Sequence, residues 1–543
     1  MWNRIFKQKI NSIAVAAVLV AMSSLISRLL GVFRDRILAS QFGAGPQLDI
    51  YYAAFRVPDL LFNLIVLGAL SAGFIPIFSS LVKNFNDPKK GEENAEAWKL
   101  ASNIINILSL LLVVLSLIGI LFAPLLVKLI TPGFSNESQL ATASLTRIMF
   151  LSPLFLGISG VLGGMLQSFR RFFIYSLAPI FYNLGIIAGA LWFSSWWGLP
   201  GLAWGVVLGA SLHMLIQIPA VYALGFRHSL KINFRDKATL KIGRLMIPRT
   251  LSLAITQIDL LVVTIIASGL ASGSLTVFNL ANNLQSFPVG IFGVSFAIAA
   301  FPALSQYASN KEKLEISFSS TLRQILFFVI PATVFLITLR AQIIRVVLGA
   351  GSFTWQDTIL TMNALAIFSI SLFAQASIPL IVRVFYARHD SKTPFYLGMF
   401  TVGVDIILCL LLSRKMGVVG LALAYSISNI LNFLLLWVWL QSKVGSLGIA
   451  KIVRSAIKFS LAAVGAGITI QLMKIAVLPI IDMTRFSGVF VQLVAAATCG
   501  GLVYLFLCYL LGSEELITFI NSISHKTSSK ISNLEDSSEA RGS

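Results

Sequence analysis

Apolar runs of about twenty residues recur along this chain from one end to the other, separated by short polar segments. About twenty residues of helix cross a hydrocarbon core about 30 Å thick. In lipid every backbone polar group must be bonded internally, which leaves helices or a closed barrel. Barrel strands alternate lipid-facing and lumen-facing residues over about ten positions, whereas these runs are continuous. The pattern predicts an all-α polytopic membrane protein with about fourteen transmembrane helices, centred near residues 22, 64, 112, 156, 183, 211, 255, 288, 330, 371, 404, 429, 467 and 499.

Composition narrows the class. Of 543 residues, 57% are hydrophobic and 11% charged, and the mean hydropathy is +0.88, which excludes a soluble domain. The net charge is +20. Most of it falls where the positive-inside rule places it: Lys7 and Lys9, Lys89 and Lys90, Arg170 and Arg171, Arg227 to Lys241, Lys311 and Lys313, Lys443 to Arg454 occupy alternate loops. The alternation predicts both termini on the cytoplasmic side of a bacterial plasma membrane. No basic soluble domain exists to host nucleic acid, so none is expected as a partner. Cys409, Cys499 and Cys508 cannot all pair, the four histidines are scattered, and no metal or cofactor is implied by spacing. The first apolar run carries Arg28 and lacks a small-residue cleavage site, unlike a signal peptide. Residues 512–543 are polar and Ser-rich, and read as a disordered cytoplasmic tail.

The chain also repeats itself. Gly198-Leu199-Pro200-Gly201-Leu202-Ala203 is echoed by Gly417-Val418-Val419-Gly420-Leu421-Ala422. Phe74-Ile75-Pro76-Ile77-Phe78-Ser79 is echoed by Ala300-Phe301-Pro302-Ala303-Leu304-Ser305, and the Gly-rich loop at 39–45 by that at 267–273. An offset of about 220–230 residues is six spans. An even-span offset gives two halves of like topology related by a pseudo-twofold along the membrane normal, one way transporters build a central cavity. The expected organisation is a six-helix lobe over 1–225, a second over 226–441, an extra helix pair over 442–511, and the tail.

Charge inside apolar segments costs roughly 2.5–3.5 kcal/mol per Arg or Asp at mid-bilayer and needs a reason. Ser24, Arg28, Gly31 and Asp35 share one face of the first span, with Arg34 about 100° from Asp35. Asp49, Tyr52 and Arg56 share a face of the second, ahead of Pro58. Span eight has a stripe of Thr276, Asn279, Asn282, Asn283 and Ser286, and span seven carries Arg249 and Asp259. All ten glutamates lie outside the predicted spans. A cation exporter would bury acids, whereas a predominance of Arg suits phosphate, because the guanidinium donates in pairs and stays charged. The alternatives are snorkelling for Arg28 and Arg34, interface anchoring for Arg56, Arg340 and Arg345, and helix-packing glue for the Asn stripe. Arg388, Asp390 and Lys392 form a loop that is either a cytoplasmic gate or a positive-inside loop. Asp259 and Asp405, with Thr264, form either a cation site or a packed polar pair.

The run Ser27-Arg28-Leu29-Leu30-Gly31-Val32-Phe33-Arg34-Asp35 resembles the first-span signature of the MurJ (MviN) lipid II flippases, in the multidrug/oligosaccharidyl-lipid/polysaccharide exporter superfamily. Asp49 through Pro58, Phe287 through Val294 and Phe385 through Pro394 resemble the same family, and the likeness covers about residues 12–511. It implies a non-enzymatic flippase that moves lipid-linked peptidoglycan precursor (lipid II) from the inner to the outer leaflet by alternating access. It implies a substrate site of Arg28, Arg34, Asp35, Asp49 and Arg56, with Asn283 where relatives carry an arginine and Arg249 as a substitute charge. Val263 stands where an aspartate is associated with a sodium site, so coupling to sodium or to membrane potential stays open. The last two spans would form a groove for the polyprenyl tail. The expected partners are lipid II, membrane lipids and wall-synthesis proteins, around a monomer. The rival readings are a flippase for another polyprenyl-linked glycan and a non-transporting scaffold for wall synthesis.

Overall fold

The computed structural model describes residues 13–68, 70–83 and 94–518. Among the described residues every regular element is helical and no strand occurs. The long helices are α1 (Ile13–Phe42), α2 (Pro46–Leu67), α3 (Ala95–Ile130), α4 (Asn136–Ser168), α5 (Phe172–Trp197), α6 (Leu199–Ala223), α7 (Lys237–Ser268), α8 (Ser274–Gln306), α9 (Lys311–Thr338), α10 (Trp355–Ile370), α11 (Leu372–Ala387), α12 (Lys392–Met416), α13 (Val418–Val444), α14 (Ile449–Val477) and α15 (Phe486–Leu510). Among the described residues, twelve helices are long and apolar enough to cross a membrane, or thirteen if α10 and α11, bent by 45°, form one span. The 30-residue α1 is outside that count. The chain is thus an all-α multi-pass membrane protein.

Local chemistry sets the helix ends and bends. Asp236 caps α7 by accepting from the Thr239 amide at 2.8 Å, and Asn310 caps α9 through the Lys313 amide at 3.1 Å. Each satisfies a donor that the first turn leaves orphaned. Pro58 lies inside α2 and is followed by a wide π-helical stretch, Phe62–Leu67. Pro288 is followed by another, Val289–Val294. Proline removes one rung of the ladder, and a wide turn re-pairs the carbonyls around the gap.

Those two stretches lie 227 residues apart, and the repeat read from sequence recurs in backbone detail elsewhere. Gly198 and Gly417 both adopt positive φ, 63° and 58°. Each donates to the carbonyl four residues back, Ser194 at 2.9 Å and Ser413 at 2.8 Å, and each accepts from the amide three residues on at 3.0 Å. Arg170 and His389 are the non-glycine residues at positive φ among those described. They close the same helix-ending turn, in which Arg171 donates to Leu166 and Asp390 to Phe385.

By compactness the chain divides into two units. The first comprises Met1–Leu280 with Val347–Thr361 and Val402–Ala424. One of its cores is aromatic, with Trp98 stacked on Phe169 at 5.3 Å; another gathers Leu38, Tyr51, Met149, Leu202 and Val206. Glycines draw α5 onto α6: a Cβ at Gly185 would lie 2.2 Å from the Gly209 Cα, and one at Gly189 2.4 Å from the Gly205 Cα. Such close approach, spaced every four residues, is how helices associate where no hydrophobic force drives them. The second unit comprises Ala281–Val346, Met362–Thr401 and Tyr425–Ser543. Its core is built on Phe318, Phe327, Phe385 and Phe459, and the Tyr504 hydroxyl of α15 donates to the Phe327 carbonyl of α9 at 2.6 Å. The tail expected beyond residue 511 lies outside the described residues from 519 on. Its first residues are docked: Glu515 is 6% exposed, pairs with Arg323 at 2.7 Å and accepts from Ser455 at 3.0 Å.

Candidate functional site

The first unit concentrates charge on α1 and α2. Arg28 is half-buried, and no partner for its guanidinium is found among the described residues. Arg34 follows about 9 Å further along the axis. An ideal helix separates the Cβ directions of Arg34 and Asp35, but the long arginine folds back. Its Nε and Nη2 donate to Asp35 Oδ1 at 3.0 and 2.7 Å, and its Nη1 donates to Asn183 Oδ1 on α5 at 3.2 Å. Asn183 is itself fixed, donating to the Ser27 carbonyl at 3.3 Å and the Pro179 carbonyl at 3.1 Å. Asp35, 5% exposed, therefore neutralises Arg34 rather than orienting both arginines, and Arg28 is left as the arginine with its charge uncompensated. A guanidinium keeps its charge and can donate in pairs to an anion.

On α2 the face expected from sequence continues further than Arg56. Arg56 Nε donates to Thr264 Oγ1 of α7 at 2.8 Å, and its Nη2 to Asn279 Oδ1 of α8 at 2.9 Å. Asp59, one turn on, lies within Coulombic range of Arg56. Tyr51 and Tyr52 pack edge-to-face at 5.5 Å close to Arg34, and the Tyr52 hydroxyl is buried without a partner among the described residues. Asp59, Tyr51 and Asn183 are not among the residues expected from sequence. Asp59 was findable, since it follows Tyr52 and Arg56 at helical spacing; Asn183 was not, because its role depends on how α5 lies against α1.

Asp49 departs from the expected substrate contact. It is 4% exposed, and its oxygens accept from the Gly273 amide at 2.6 Å, the Thr276 amide at 2.8 Å and the Thr276 hydroxyl at 2.7 Å. It caps the start of α8, where exposed amides favour a carboxylate, and it also lines a cavity of about 310 Å³ beside Ser135, Ser138 and Ser268. Arg249 is exposed on α7. Asn283 belongs to the second unit and is exposed there.

The loop expected as a gate is pinned within the second unit. Asp390 caps α12 by accepting from the Thr393 amide at 3.0 Å and its hydroxyl at 2.7 Å, and it pairs with Lys443 at the end of α13. Partial burial opposes the charge, but the Lys443 ammonium and the Thr393 donors outweigh it and hold the carboxyl down at about 2. Arg388 reaches the Ala308 carbonyl at 3.4 Å, while Lys392 is exposed.

Asp259 on α7 and Asp405 on α12, both in the first unit, lie within Coulombic range of each other. A hard cation takes about six oxygens. Here Val263 is apolar and buried, Thr264 is committed to Arg56 and the Leu260 carbonyl, and the Cys409 thiol donates to Asp405 Oδ2 at 3.6 Å. Among the described residues no cluster of three His, Cys, Asp or Glu forms a metal site. Asp259 Oδ1 is buried with no hydrogen-bond partner among the described residues.

In the second unit a groove of about 530 Å³ runs between α9, α11, α13 and α14, lined by Leu326, Ile330, Phe373, Trp437, Ala456 and Val464 among others. α15, expected as one wall, contributes no lining residue. It packs behind α14, where Gly500 fits against Ile470. The groove is apolar and sized for a hydrocarbon chain.

The family model of the lipid II flippase MurJ matches residues 38–496. A probable lipid II flippase MurJ of Buchnera aphidicola subsp. Acyrthosiphon pisum is 30% identical over 92% of this chain and 98% of its own length. The lipid II flippase MurJ of Burkholderia cenocepacia is 28% identical over 79% of this chain and 84% of its own. Among solved structures, lipid II flippase MurJ in an inward closed conformation superposes with a TM-score of 0.75 at 26% identity, covering 91% of this chain and 98% of that one. An inward-facing MATE multidrug transporter of the MOP superfamily shares the fold alone, at a TM-score of 0.63 and 18% identity over 80% of this chain and 98% of that one.

Proposed function

From the premise that this chain belongs to the lipid II flippase MurJ family, we propose that it carries lipid II from the inner to the outer leaflet by alternating access. The observation that carries this reading is the asymmetry on α1. Arg34 is neutralised by Asp35 and tethered by Asn183, while Arg28 has no partner among the described residues. A pyrophosphate takes Arg28 as its first ligand and then competes with Asp35 for Arg34. Such an exchange gives the substrate a differential affinity for two states, which a change of conformation requires. The tyrosines add hydroxyls for hydrogen bonding. The polyprenyl chain takes the apolar groove of the second unit. The Asp259–Asp405 pair belongs to no metal-holding cluster of three His, Cys, Asp or Glu among the described residues, and on this reading transport proceeds in the absence of sodium. The chain sits in the bacterial plasma membrane with both termini cytoplasmic, and contact with wall-synthesis proteins belongs to the same reading.

The test is translocation of a fluorescent lipid II analogue in liposomes. Arg28→Ala is expected to reduce the rate at least tenfold with unchanged thermal stability. Wild-type rates in that variant would sink the proposal. Rescue of cells depleted of their own lipid II flippase separates this substrate from another polyprenyl-linked glycan.

A further inference from the structure

The apolar groove has a charged neighbour further along the same two helices. Beyond its end, at the far ends of α9 and α14 from Lys311 and Lys451, lies a second cavity of about 320 Å³, lined by Arg340, Lys474, Thr338, Gln471 and Met362 among others. Lys474 Nζ donates to the Thr338 carbonyl at 3.1 Å, at the C-terminal end of α9, where a cation is favoured. That bond uses one of three ammonium donors. Arg340 lies within Coulombic range of Lys474. No carboxylate lines the cavity, and among the described residues neither cation has an acidic partner.

The pocket has a rigid frame. Gln342, 8% exposed, donates to Gln492, 1% exposed, at 2.8 Å, and Gln492 donates to the Lys474 carbonyl at 2.9 Å. Two like charges placed side by side on fixed backbone, without a counterion, repel. Such an arrangement is stabilised by an anion in the cavity.

The two cavities share helix faces. On α14 the groove is lined by Ile449, Ile452, Ala456, Ser460 and Val464, and the cationic cavity by Gln471 and Lys474. At helical spacing all of these fall within a sector of about 120°. Gly467 sits in the middle of that sector, where a Cβ would be 2.9 Å from Val334 Cγ1 on α9. About 15 Å of helix separates Val464 from Lys474. An amphiphile passing over the Gly467–Val334 contact would place hydrocarbon in the groove and a charged head about 15 Å further along.

We propose that Arg340 and Lys474 form an anion site for the phosphate of a membrane lipid whose chain lies along α9 and α14. On the orientation given above this end faces the outer leaflet, so the proposal deepens that reading. Two lipids carry the chemistry: a polyprenyl diphosphate and an anionic phospholipid.

Native mass spectrometry of the full chain in detergent tests it, with farnesyl diphosphate, phosphatidylglycerol and, as a headless control, diacylglycerol. The Arg28→Ala/Arg34→Ala background silences the first anion site. In that background Arg340→Gln/Lys474→Gln, and separately Gln471→Glu at an exposed lining position, are expected to weaken binding of a phosphate-bearing lipid about tenfold and to leave diacylglycerol unchanged. Loss confined to farnesyl diphosphate assigns the site to the polyprenyl lipid, and loss confined to phosphatidylglycerol to the phospholipid. Unchanged binding of both in the folded Gln471→Glu variant overturns the proposal. Failure of the flippase reading shows separately, as unaltered farnesyl diphosphate binding when Arg28 and Arg34 alone are replaced.

Discussion

Arg28 and Arg34 carry the same charge on one helix, yet the structure divides their work. Removing Arg34 leaves Asp35 buried without its counterion, a loss that runs to about 3–5 kcal/mol for a buried pair. Arg34→Ala should therefore lower the melting temperature as well as transport, whereas Arg28→Ala lowers transport alone; thermal unfolding measured beside the flipping rate separates the two. Asp49→Ala should cost about 1–2 kcal/mol through loss of the α8 cap, with transport falling only as far as the folded fraction falls. A transport loss at full stability would return Asp49 to the substrate site. The acid pair makes a further prediction: replacing external sodium by choline should leave lipid II translocation unchanged, and a sodium-dependent rate would show that Asp259 and Asp405 act with donors outside this arrangement. Charge in apolar segments made Arg28, Arg34, Asp35, Asp49 and Arg56 visible in the sequence. Their partners were hidden, because Arg56 meets Thr264 and Asn279 across more than two hundred residues, and helical spacing places side chains on a face without saying what lies opposite.

At the scale of elements, glycine spacing and caps decide how helices meet. Gly189→Leu would drive a side chain into the Gly205 backbone, part α5 from α6 and so unseat Asn183 from Arg34. The expected result is a melting temperature lower by several degrees and reduced transport, read by the same two assays. Asp390 acts through charge. Its carboxyl is held at about 2, below its unfolded value, so its contribution is fully present above the unfolded value and is lost as pH falls toward 2. Lys443→Met should shift that loss to higher pH, measured as melting temperature between pH 5 and 3. Helix number, helix ends and the wide turns after Pro58 were close to readable, since proline and apolar length act locally. The groove walls were not: which helix packs behind α14 depends on glycine fits such as Gly465 against Leu507, not on the apolarity that α14 and α15 share.

At the scale of the whole molecule, two habits of the chain connect sequence to transport. It repeats its turns at offsets of about 220 residues down to matching positive-φ positions, and it pairs part of its buried charge internally, as Arg34 with Asp35 and Arg323 with Glu515, while leaving other cations open. Arg28 is one open end and the Arg340–Lys474 pocket another. The repeat was legible because Gly-rich turns constrain the backbone regardless of packing, while the second opening needed the structure, since Arg340 and Lys474 are 134 residues apart. The central claim is that a phosphate-bearing lipid crosses by way of Arg28. Purified protein in liposomes with a fluorescent lipid II analogue, followed by loss of inner-leaflet label, tests it most directly beside Arg28→Ala and Arg28→Lys. The account predicts rapid translocation by wild type, at least a tenfold loss in Arg28→Ala at unchanged melting temperature, and partial recovery in Arg28→Lys, which keeps the charge but not the paired donors. Equal rates in all three proteins would contradict it.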